Sequence, residues 1–222
     1  MADFGFKIFP CPAGPSAAIL EAYKDFAVAN ISDCMSRTTG TSALRPLHAS
    51  RRILGRAFTV RSRPGDNLMV HKAIDLAEPG DVIVVDAGGE MRNAIIGEIM
   101  AGWAAHRKLG GFVIDGAVRD TETLSAGDLP IYARGSAHRG PYKDGPGELN
   151  VPVTIDGMVV MPGDLLVGDA DGLLAIRPDE AEALAVKVRA IEAAEAKILQ
   201  QIAAGTLDRG WVDVSLKAKG VL

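Results

Sequence analysis

Residues 81–120 read DVIVVDAGGEMRNAIIGEIMAGWAAHRKLGGFVIDGAVRD, and this stretch decides the fold. Its first six residues, 81–86, are rich in valine and isoleucine, which predicts a buried parallel strand. Gly88 and Gly89 are expected to end that strand in a turn. Residues 91–106 then have the length and residue types of a helix, with apolar side chains over most of its circumference.

A second strand follows directly. Residues 110–111 are both glycine and should end the helix, and residues 112–115 (FVID) predict a buried strand whose carboxyl end leads to Arg119 and Asp120. The stretch is therefore a β-turn-α-β unit. In parallel sheets, ligands bind outside the carboxyl ends of the strands. Glu98 precedes Arg119 by twenty intervening residues, so this spacing brings one cation and two carboxylates towards a place that suits a divalent metal and an anionic substrate.

The predicted helix also provides a site for an anion. If it begins after Gly89, its first backbone N–H groups lack partners and favour a carboxylate or phosphate. Arg119 would add a planar guanidinium that binds a carboxylate through two charge-assisted hydrogen bonds. Glu98 is the acid within this apolar helix, so we expect it to be paired or to face a polar cleft.

Length, charge and cysteine content limit the classes of protein to which this chain can belong. The 222 residues predict a single domain, 1–222, with residues 206–222 as a carboxyl-terminal extension. A net charge of −4 and a pI near 5.6 argue against nucleic-acid binding. We expect no membrane association and a cytoplasmic location, because no apolar run is long enough to span a bilayer and the start resembles no signal peptide. Cys11 and Cys34 lack metal-site spacing and are predicted to be structural.

The remaining segments predict a mixed α/β architecture. Helices are expected near the amino terminus and at the carboxyl end, and hairpins after the β-turn-α-β unit. The predicted segments are a helix from residue 17 to 29, a short helix from Ser32 or Asp33, a strand at 54–63, a helix at 68–77, a strand at 131–134, hairpins at 151–161 and 165–176, and a long helix at 178–204.

The segment GGEMRNAIIGEIMAGWAAHRKLGGFVIDGAVRD, with the hairpins that follow it, resembles the class II pyruvate aldolases that cleave 4-hydroxy-4-methyl-2-oxoglutarate and 4-carboxy-4-hydroxy-2-oxoadipate. The same family includes the regulator of ribonuclease E activity A. By order of elements the resemblance covers residues 17–205. It implies a swivelling β/β/α-type domain with a mixed sheet, flanking amino-terminal helices and a long carboxyl-terminal helix. It also implies trimers or hexamers with sites at subunit contacts.

The resemblance assigns roles to residues. Asp120 would bind a divalent metal, usually Mg²⁺ (or Mn²⁺), and Glu98, where family members commonly have aspartate, would act on it through water. Arg119 would hold the pyruvyl end of the substrate. The substrate carboxylate would be bound by backbone groups of Gly89, Glu90, Met91 and Arg92. The further pocket residues would be Asn67, His71 and Lys143, with Glu192 or Glu195 as candidates to complete a neighbour's metal shell.

The implied activity is that of a carbon–carbon lyase. Retro-aldol cleavage leaves a pyruvate enolate, whose charge a metal and Arg119 would stabilise. Decarboxylation of oxaloacetate passes through the same enolate, so we expect that side activity too. Two alternatives stay open: a non-catalytic binding protein like the ribonuclease regulator, and a phosphohistidine carrier domain with His138 as acceptor.

Overall fold

The computed structural model describes residues 4–49 and 52–222. The strands are β1 (Phe6–Ile8), β2 (Arg45–Pro46), β3 (Ile53–Ser62), β4 (Val82–Ala94), β5 (Gly111–Val118), β6 (Ile131–Ser136), β7 (Gly147–Leu149), β8 (Val153–Ile155), β9 (Met158–Val160), β10 (Leu165–Gly168) and β11 (Leu173–Ile176). The helices are α1 (Ala17–Tyr23), α2 (Val28–Cys34), α3 (Leu68–Leu76), α4 (Glu98–His106), α5 (Thr121–Ala126), α6 (Pro178–Ala203) and α7 (Gly210–Ala218).

Strands β3, β4, β5 and β6 lie side by side and parallel, and they form the centre of a mixed nine-stranded sheet in the described chain. The order is β1-β7-β3-β4-β5-β6-β2, and the β10–β11 pair joins antiparallel to β3. Strand β7 also runs antiparallel to β3. The predicted mixed α/β architecture is therefore confirmed.

Successive side chains of β4 point to opposite faces of the sheet, and both faces are covered by other parts of the chain. Ile83 and Val85 belong to the hydrophobic cluster that includes residues of α3, α4 and α5. Val82 and Val84 point the other way and belong to the cluster that includes residues of the β8–β9 hairpin. All four are fully buried, as expected for a parallel strand covered on both faces.

Helix α6 begins at the predicted place and packs over a third cluster. Pro178 occupies its first turn, Asp179 and Glu180 follow, and Gly205 lies just beyond the end with φ of +66°. Its buried residues Ala181, Leu184, Ala185 and Val188 cover the β10–β11 pair together with α1 and α2. The described chain holds no helix that combines the length and apolar character needed to cross a bilayer.

The prediction of a helix over residues 91–106 is wrong in its first half. Gly88 and Gly89, with φ of +66° and +69°, do not end β4. They form an irregularity instead, because the pairing with β5 shifts register between Asp86 and Glu90 and again before Ala94. The strand thus continues to Ala94, and α4 begins only at Glu98.

The amino-terminal helices also differ from expectation. Helix α1 begins at the predicted residue 17, where Ser16 caps it by accepting a hydrogen bond from Ile19 N at 3.3 Å, but it ends at Tyr23 instead of residue 29. Helix α2 begins at Val28, before the predicted start at Ser32 or Asp33. Its first N–H donates to Oδ2 of Asp169 at 2.9 Å. This cap comes from a residue far away in the sequence, which local patterns do not reveal.

Candidate active site

The carboxyl end of β5 delivers Arg119 and Asp120 as the sequence predicts. Strand β5 ends at Val118, and Asp120 then adopts the left-handed conformation, with φ of 57° and ψ of 37°, just before α5. A non-glycine residue in this region is uncommon, although aspartate and asparagine are enriched there. Nε of Arg119 lies 3.6 Å from Oδ2 of Asp120. The pair is therefore held at a tight turn at the edge formed by the carboxyl ends of the parallel strands.

Glu98 meets this pair through its backbone. Its N–H donates to Oδ2 of Asp120 at 3.0 Å, while its side chain is exposed and lines a separate groove between α4 and α5. The expectation of a glutamate inside an apolar helix is wrong, because Glu98 is the first residue of α4. Its carboxylate therefore needs no partner to offset burial.

Gly97 makes the close approach of these elements possible. A Cβ atom placed on Gly97 would lie 2.3 Å from Oδ2 of Asp120 and 2.9 Å from Cγ of Arg119. Its φ of −146° is open to any residue, so the requirement for glycine is one of space. Arg119 and Asp120 pack directly on the backbone at the start of α4.

A pocket of about 100 Å³ lies beside Arg119. It brings together four residues that the sequence singles out, although their binding roles stay predictions. Its lining residues are Asn67, His71, Ile95, Ile96, Gly97, Ile99, Met100, Arg119, Pro141 and Lys143. Half of them come from the segment that connects β4 to α4 and from the first turn of α4. The amino end of α4 therefore opens into this pocket, and the N–H groups of residues 98–100 precede the first hydrogen bond of the helix, which runs from Ala101 N to the carbonyl of Gly97.

Asn67 is fixed at the wall of the pocket. Its Nδ2 donates to the carbonyl of Ile95 at 2.8 Å and contacts Sδ of Met100 at 3.2 Å. Its Oδ1 is buried and has no hydrogen-bond partner among the residues that the structure describes. A buried acceptor without a partner is costly, so a ligand with a hydroxyl or N–H group would gain by donating to it.

His71 and Lys143 add basic groups to the same pocket. Partial loss of hydration, and then the nearby cation of Lys143, lower the pKa of His71, and Asp75 opposes this shift. These causes favour the neutral form of the His71 imidazole relative to an ordinary histidine. Such a group can accept a proton within the pocket.

The structure removes the geometric reason for an anion site at Gly89–Arg92, because these residues lie in β4 and not at a helix amino end. The space next to Gly89 is taken by Arg134, and Glu90 accepts a hydrogen bond from the N–H of Arg92. Met91 and Arg92 line a different groove.

The helix amino end lies instead at residues 97–100. A signal for it was present in the sequence, because Gly97 followed directly by an acid is a pattern of helix starts.

The donor atoms at Asp120 suit a hard divalent cation. Within the described chain both polar contacts of its carboxylate use Oδ2, which leaves Oδ1 for a ligand. Mg²⁺ is commonly held by one or two carboxylates, with waters and substrate as its other ligands. No cluster of three potential metal-ligating side chains occurs in residues 4–49 and 52–222. A metal at this site would therefore need ligands other than the side chains of this chain. Asp120 fits a metal that is shared with substrate.

Glu192 and Glu195 of α6 differ in how freely they could bind a metal of a neighbouring subunit. Oε2 of Glu195 accepts a hydrogen bond of 2.8 Å from Nδ2 of Asn30 in the same chain. Glu192 is partly buried. Glu195 is thus already engaged within its own subunit, which weakens the case for it as a ligand to a neighbour's metal.

Comparison with known proteins identifies relatives. The chain is 42% identical over 160 residues to a protein of Halalkalibacterium halodurans that is provisionally named a 4-hydroxy-4-methyl-2-oxoglutarate aldolase, covering 72% of this chain and 76% of that one. It is 38% identical over 125 residues to a 4-hydroxy-4-methyl-2-oxoglutarate aldolase of Thermus thermophilus, covering 56% and 76% of the two chains.

Solved structures show the same fold. An uncharacterized protein of Pseudomonas syringae pv. tomato superposes with a TM-score of 0.79 at 27% identity, covering 88% of this chain and 97% of that one. The RNA-processing inhibitor RraA of Thermus thermophilus superposes with a TM-score of 0.63 at 32% identity, covering 68% and 92%. The profile of one family, described as Aldolase/RraA, matches residues 28–175. This chain belongs to the RraA-like aldolase family.

Proposed function

We propose that this protein is a divalent-metal-dependent carbon–carbon lyase that cleaves 4-hydroxy-4-methyl-2-oxoglutarate or 4-carboxy-4-hydroxy-2-oxoadipate and releases pyruvate. The observation that carries the proposal is the packing of Arg119 and Asp120 on Gly97, at a helix amino end that opens into a pocket. An anion site, a cation and a metal-binding carboxylate thus meet within one small volume. The aldolase names of the relatives agree with this arrangement.

The pyruvyl end of the substrate would bind at the start of α4. The N–H of Glu98 is already used by Asp120, so the amides of Ile99 and Met100 are the ones available to the substrate carboxylate. Arg119 would contact the same end through its guanidinium and stabilise the enolate charge that develops there. These residues place the 2-oxo acid, and the group beyond C3 then points out of the pocket.

Asp120 would hold the metal through Oδ1. Glu98, whose N–H donates to the same carboxylate, stays a candidate to act through water, although its side chain lines the groove between α4 and α5. A divalent ion supplies a Lewis acid for the 2-oxo group. The protein's contribution is to hold Oδ1 in place, because Oδ2 is tied to the backbone of α4 and the residue sits in a turn conformation fixed between β5 and α5.

Cleavage breaks the C3–C4 bond. The C4 hydroxyl loses its proton and becomes a carbonyl, and the electron pair of the broken bond goes to C3 as an enolate that is then protonated. The products are two molecules of pyruvate from 4-hydroxy-4-methyl-2-oxoglutarate, or pyruvate and oxaloacetate from the tricarboxylate. His71 is the pocket side chain that we assign as acceptor of the hydroxyl proton, because it is an imidazole that lines the pocket beside Arg119 and its lowered pKa favours the form that lacks the second proton. Oxaloacetate, which yields the same enolate, should be decarboxylated as well.

We further propose that the active form is a homo-oligomer, a trimer or a hexamer, with the site at a subunit contact. Ile99 and Trp103 lie on the outer face of α4 next to the pocket, and they are 77% and 49% exposed. Large apolar side chains at the rim of a polar pocket are what a neighbouring subunit would cover.

The test is release of pyruvate, coupled to lactate dehydrogenase. Purified protein is assayed with 4-hydroxy-4-methyl-2-oxoglutarate, 4-carboxy-4-hydroxy-2-oxoadipate and oxaloacetate, each with Mg²⁺, with chelator, and after Mg²⁺ or Mn²⁺ is added back. We expect turnover that chelator abolishes and metal restores. Equal pyruvate release with and without chelator would contradict the metal role, and no release from any substrate would contradict the lyase.

The second candidate function is a non-catalytic binding protein. It is supported by the 32% identity to the RNA-processing inhibitor RraA. This alternative predicts that the protein inhibits a ribonuclease while releasing no pyruvate. Inhibition that persists in an Arg119→Ala variant, in a protein without lyase activity, would decide in its favour.

A further inference from the structure

We propose that the groove beside the pocket binds the distal carboxylate of the substrate, so that the protein selects 2-oxo acids with a second negative charge beyond C3. This inference rests on the proposed function. The groove is lined by Met91, Arg92, Ser136, Ala137, His138 and Arg139. None of these residues contacts the pyruvyl end as placed above.

The proposed placement of the pyruvyl end leaves the rest of the substrate without a protein contact. With the 2-oxo acid held by Arg119 and the amides at the start of α4, the group beyond C3 points out of the pocket. A carboxylate on that group would therefore need a second region of positive charge.

The groove has the charge that such a group needs. Arg92 and Arg139 are exposed, and neither takes part in an ion pair formed within the described chain. Residues 134–143 read RGSAHRGPYK, which contains cations and no acid. The nearest acid along β4 is Glu90, which accepts a hydrogen bond from the N–H of Arg92. The two guanidinium groups are thus available to an external carboxylate.

Pocket and groove lie on the two sides of Gly140. Pro141 lines the pocket and Arg139 lines the groove, and a Cβ atom on Gly140 would lie 3.3 Å from Nη1 of Arg119. The guanidinium of Arg119 therefore lies next to the backbone of Gly140, the residue that follows Arg139.

The loop that carries Arg139 is fixed to the end of β4. The carbonyl of Arg139 accepts a hydrogen bond from Ala94 N at 2.8 Å, and the carbonyl of Gly140 accepts one from Nδ2 of Asn93 at 2.6 Å. The backbone of Arg139 therefore needs no reordering when a ligand binds, and arginine can contact a carboxylate through two parallel hydrogen bonds. Arg139 is thus a specificity residue for a distal carboxylate, with Arg92 as the second contact.

Binding of two compounds that cannot be cleaved tests this. 2-Oxoglutarate and 2-oxopentanoate share the pyruvyl end and chain length, and only the former carries the distal carboxylate. Their Kd values are measured by calorimetry with Mg²⁺ present, for wild type and for Arg139→Ala, Arg139→Lys and Arg92→Ala. We expect wild type to prefer 2-oxoglutarate by about 10-fold or more, the size of a hydrogen bond to a charged group. Arg139→Ala should abolish the preference and Arg139→Lys should keep part of it.

Arg209→Ala is the matched control, because it removes the same charge from an exposed position at the start of α7. It should leave both Kd values unchanged. The inference is overturned if Arg139→Ala and Arg92→Ala both retain the preference for 2-oxoglutarate. It is also overturned if these variants weaken the binding of both compounds by the same factor. Absence of pyruvate release in the coupled assay would overturn the lyase alone, since the preference is measured without cleavage.

Discussion

The backbone N–H of Glu98 donates a 3.0 Å hydrogen bond to Oδ2 of Asp120, which joins the first residue of α4 to the residue that precedes α5. The two residues are 22 positions apart in the sequence and adjacent in the fold. This bond gives the two oxygens of the Asp120 carboxylate different roles. Oδ2 secures the helix start that we propose as the anion site, and Oδ1 stays available for the proposed metal.

Two substitutions of Asp120 should separate these roles. Asp120→Asn keeps an acceptor for Glu98 N and tolerates the left-handed conformation, but it removes the negative charge that a metal needs. We expect it to fold like wild type and to lose pyruvate release by about 10²-fold or more, because a Lewis acid contributes several kcal/mol. Calorimetric titration with Mg²⁺ should show weakened binding.

Asp120→Ala is the companion variant. It loses the charge, the hydrogen bond to the start of α4 and the preference for φ of 57°. We therefore expect its free energy of unfolding to be about 1–2 kcal/mol lower than that of Asp120→Asn, measured by urea denaturation. Equal stability of the two variants would show that Oδ2 does not secure the helix.

Arg119 should respond differently to replacement by lysine and by alanine. Lysine keeps the positive charge but lacks the planar fork, so we expect kcat/KM for pyruvate release to fall about 10-fold, the size of one lost charge-assisted hydrogen bond. Alanine removes both and should cost about 10²- to 10³-fold, as for a lost oxyanion donor. Steady-state kinetics of both variants measure this. An alanine variant with the activity of wild type would exclude Arg119 from the reaction.

Which features could be predicted from the sequence depends on where their determinants lie. The buried strands β4 and β5 and the placement of Arg119 after β5 follow from local residue types, because runs of valine and isoleucine leave few alternatives. The start of α4 does not, since Gly88 and Gly89 are equally compatible with a turn and with a bulge. Only the pairing of β4 with β5 decides that the strand continues to Ala94.

Local sequence patterns also fail to predict which other residues line the pocket. Asn67 and His71 are four residues apart at the start of α3, whereas Lys143 is distant in the sequence, and no spacing rule joins these residues to Arg119. The resemblance to a family supplied them, and the pocket contains all of them. The groove at Arg92 and Arg139 was not predicted, because their proximity arises from hydrogen bonds between residues 93–94 and the loop at 139–140.

Gly97→Ala should damage the site more than the fold. The added methyl group would overlap with Oδ2 of Asp120 and Cγ of Arg119, so both must move away from the start of α4. We expect an overpacking cost of about 1–3 kcal/mol in unfolding free energy and a marked loss of kcat/KM. Thermal unfolding and the coupled assay measure the two effects.

Gly102→Ala is the control within the same helix. Among the described residues, a Cβ atom there meets nothing within 4 Å, and alanine is favoured over glycine in a helix by about 0.5–1 kcal/mol. This variant should be slightly more stable and as active as wild type. If Gly97→Ala were equally harmless, the close packing of Arg119 and Asp120 on α4 would not matter for activity.

The stability of the fold should decrease in mild acid because of His48. This residue is buried, its Nδ1 accepts a hydrogen bond of 3.0 Å from Ile131 N, and its Nε2 lies 3.0 Å from the carbonyl of Arg52. Both contacts are satisfied by a neutral ring that carries its proton on Nε2. Burial lowers the pKa of His48, while its contacts with the backbone carbonyls of Ile131 and Arg52 oppose the shift.

The sign of the effect follows from the lowered pKa. Below the ordinary histidine pKa of about 6.5 the unfolded chain takes up a proton that folded His48 resists, so the contribution of His48 is complete above that pH and declines as the pH falls towards its folded pKa. We expect the Tm of wild type to drop more between pH 7.5 and 5.5 than that of His48→Gln, whose side chain does not titrate. His106→Gln, at an exposed position of α4, should keep the pH dependence of wild type. If His48→Gln followed wild type across this range, burial of a neutral His48 would not be the source of the acid sensitivity.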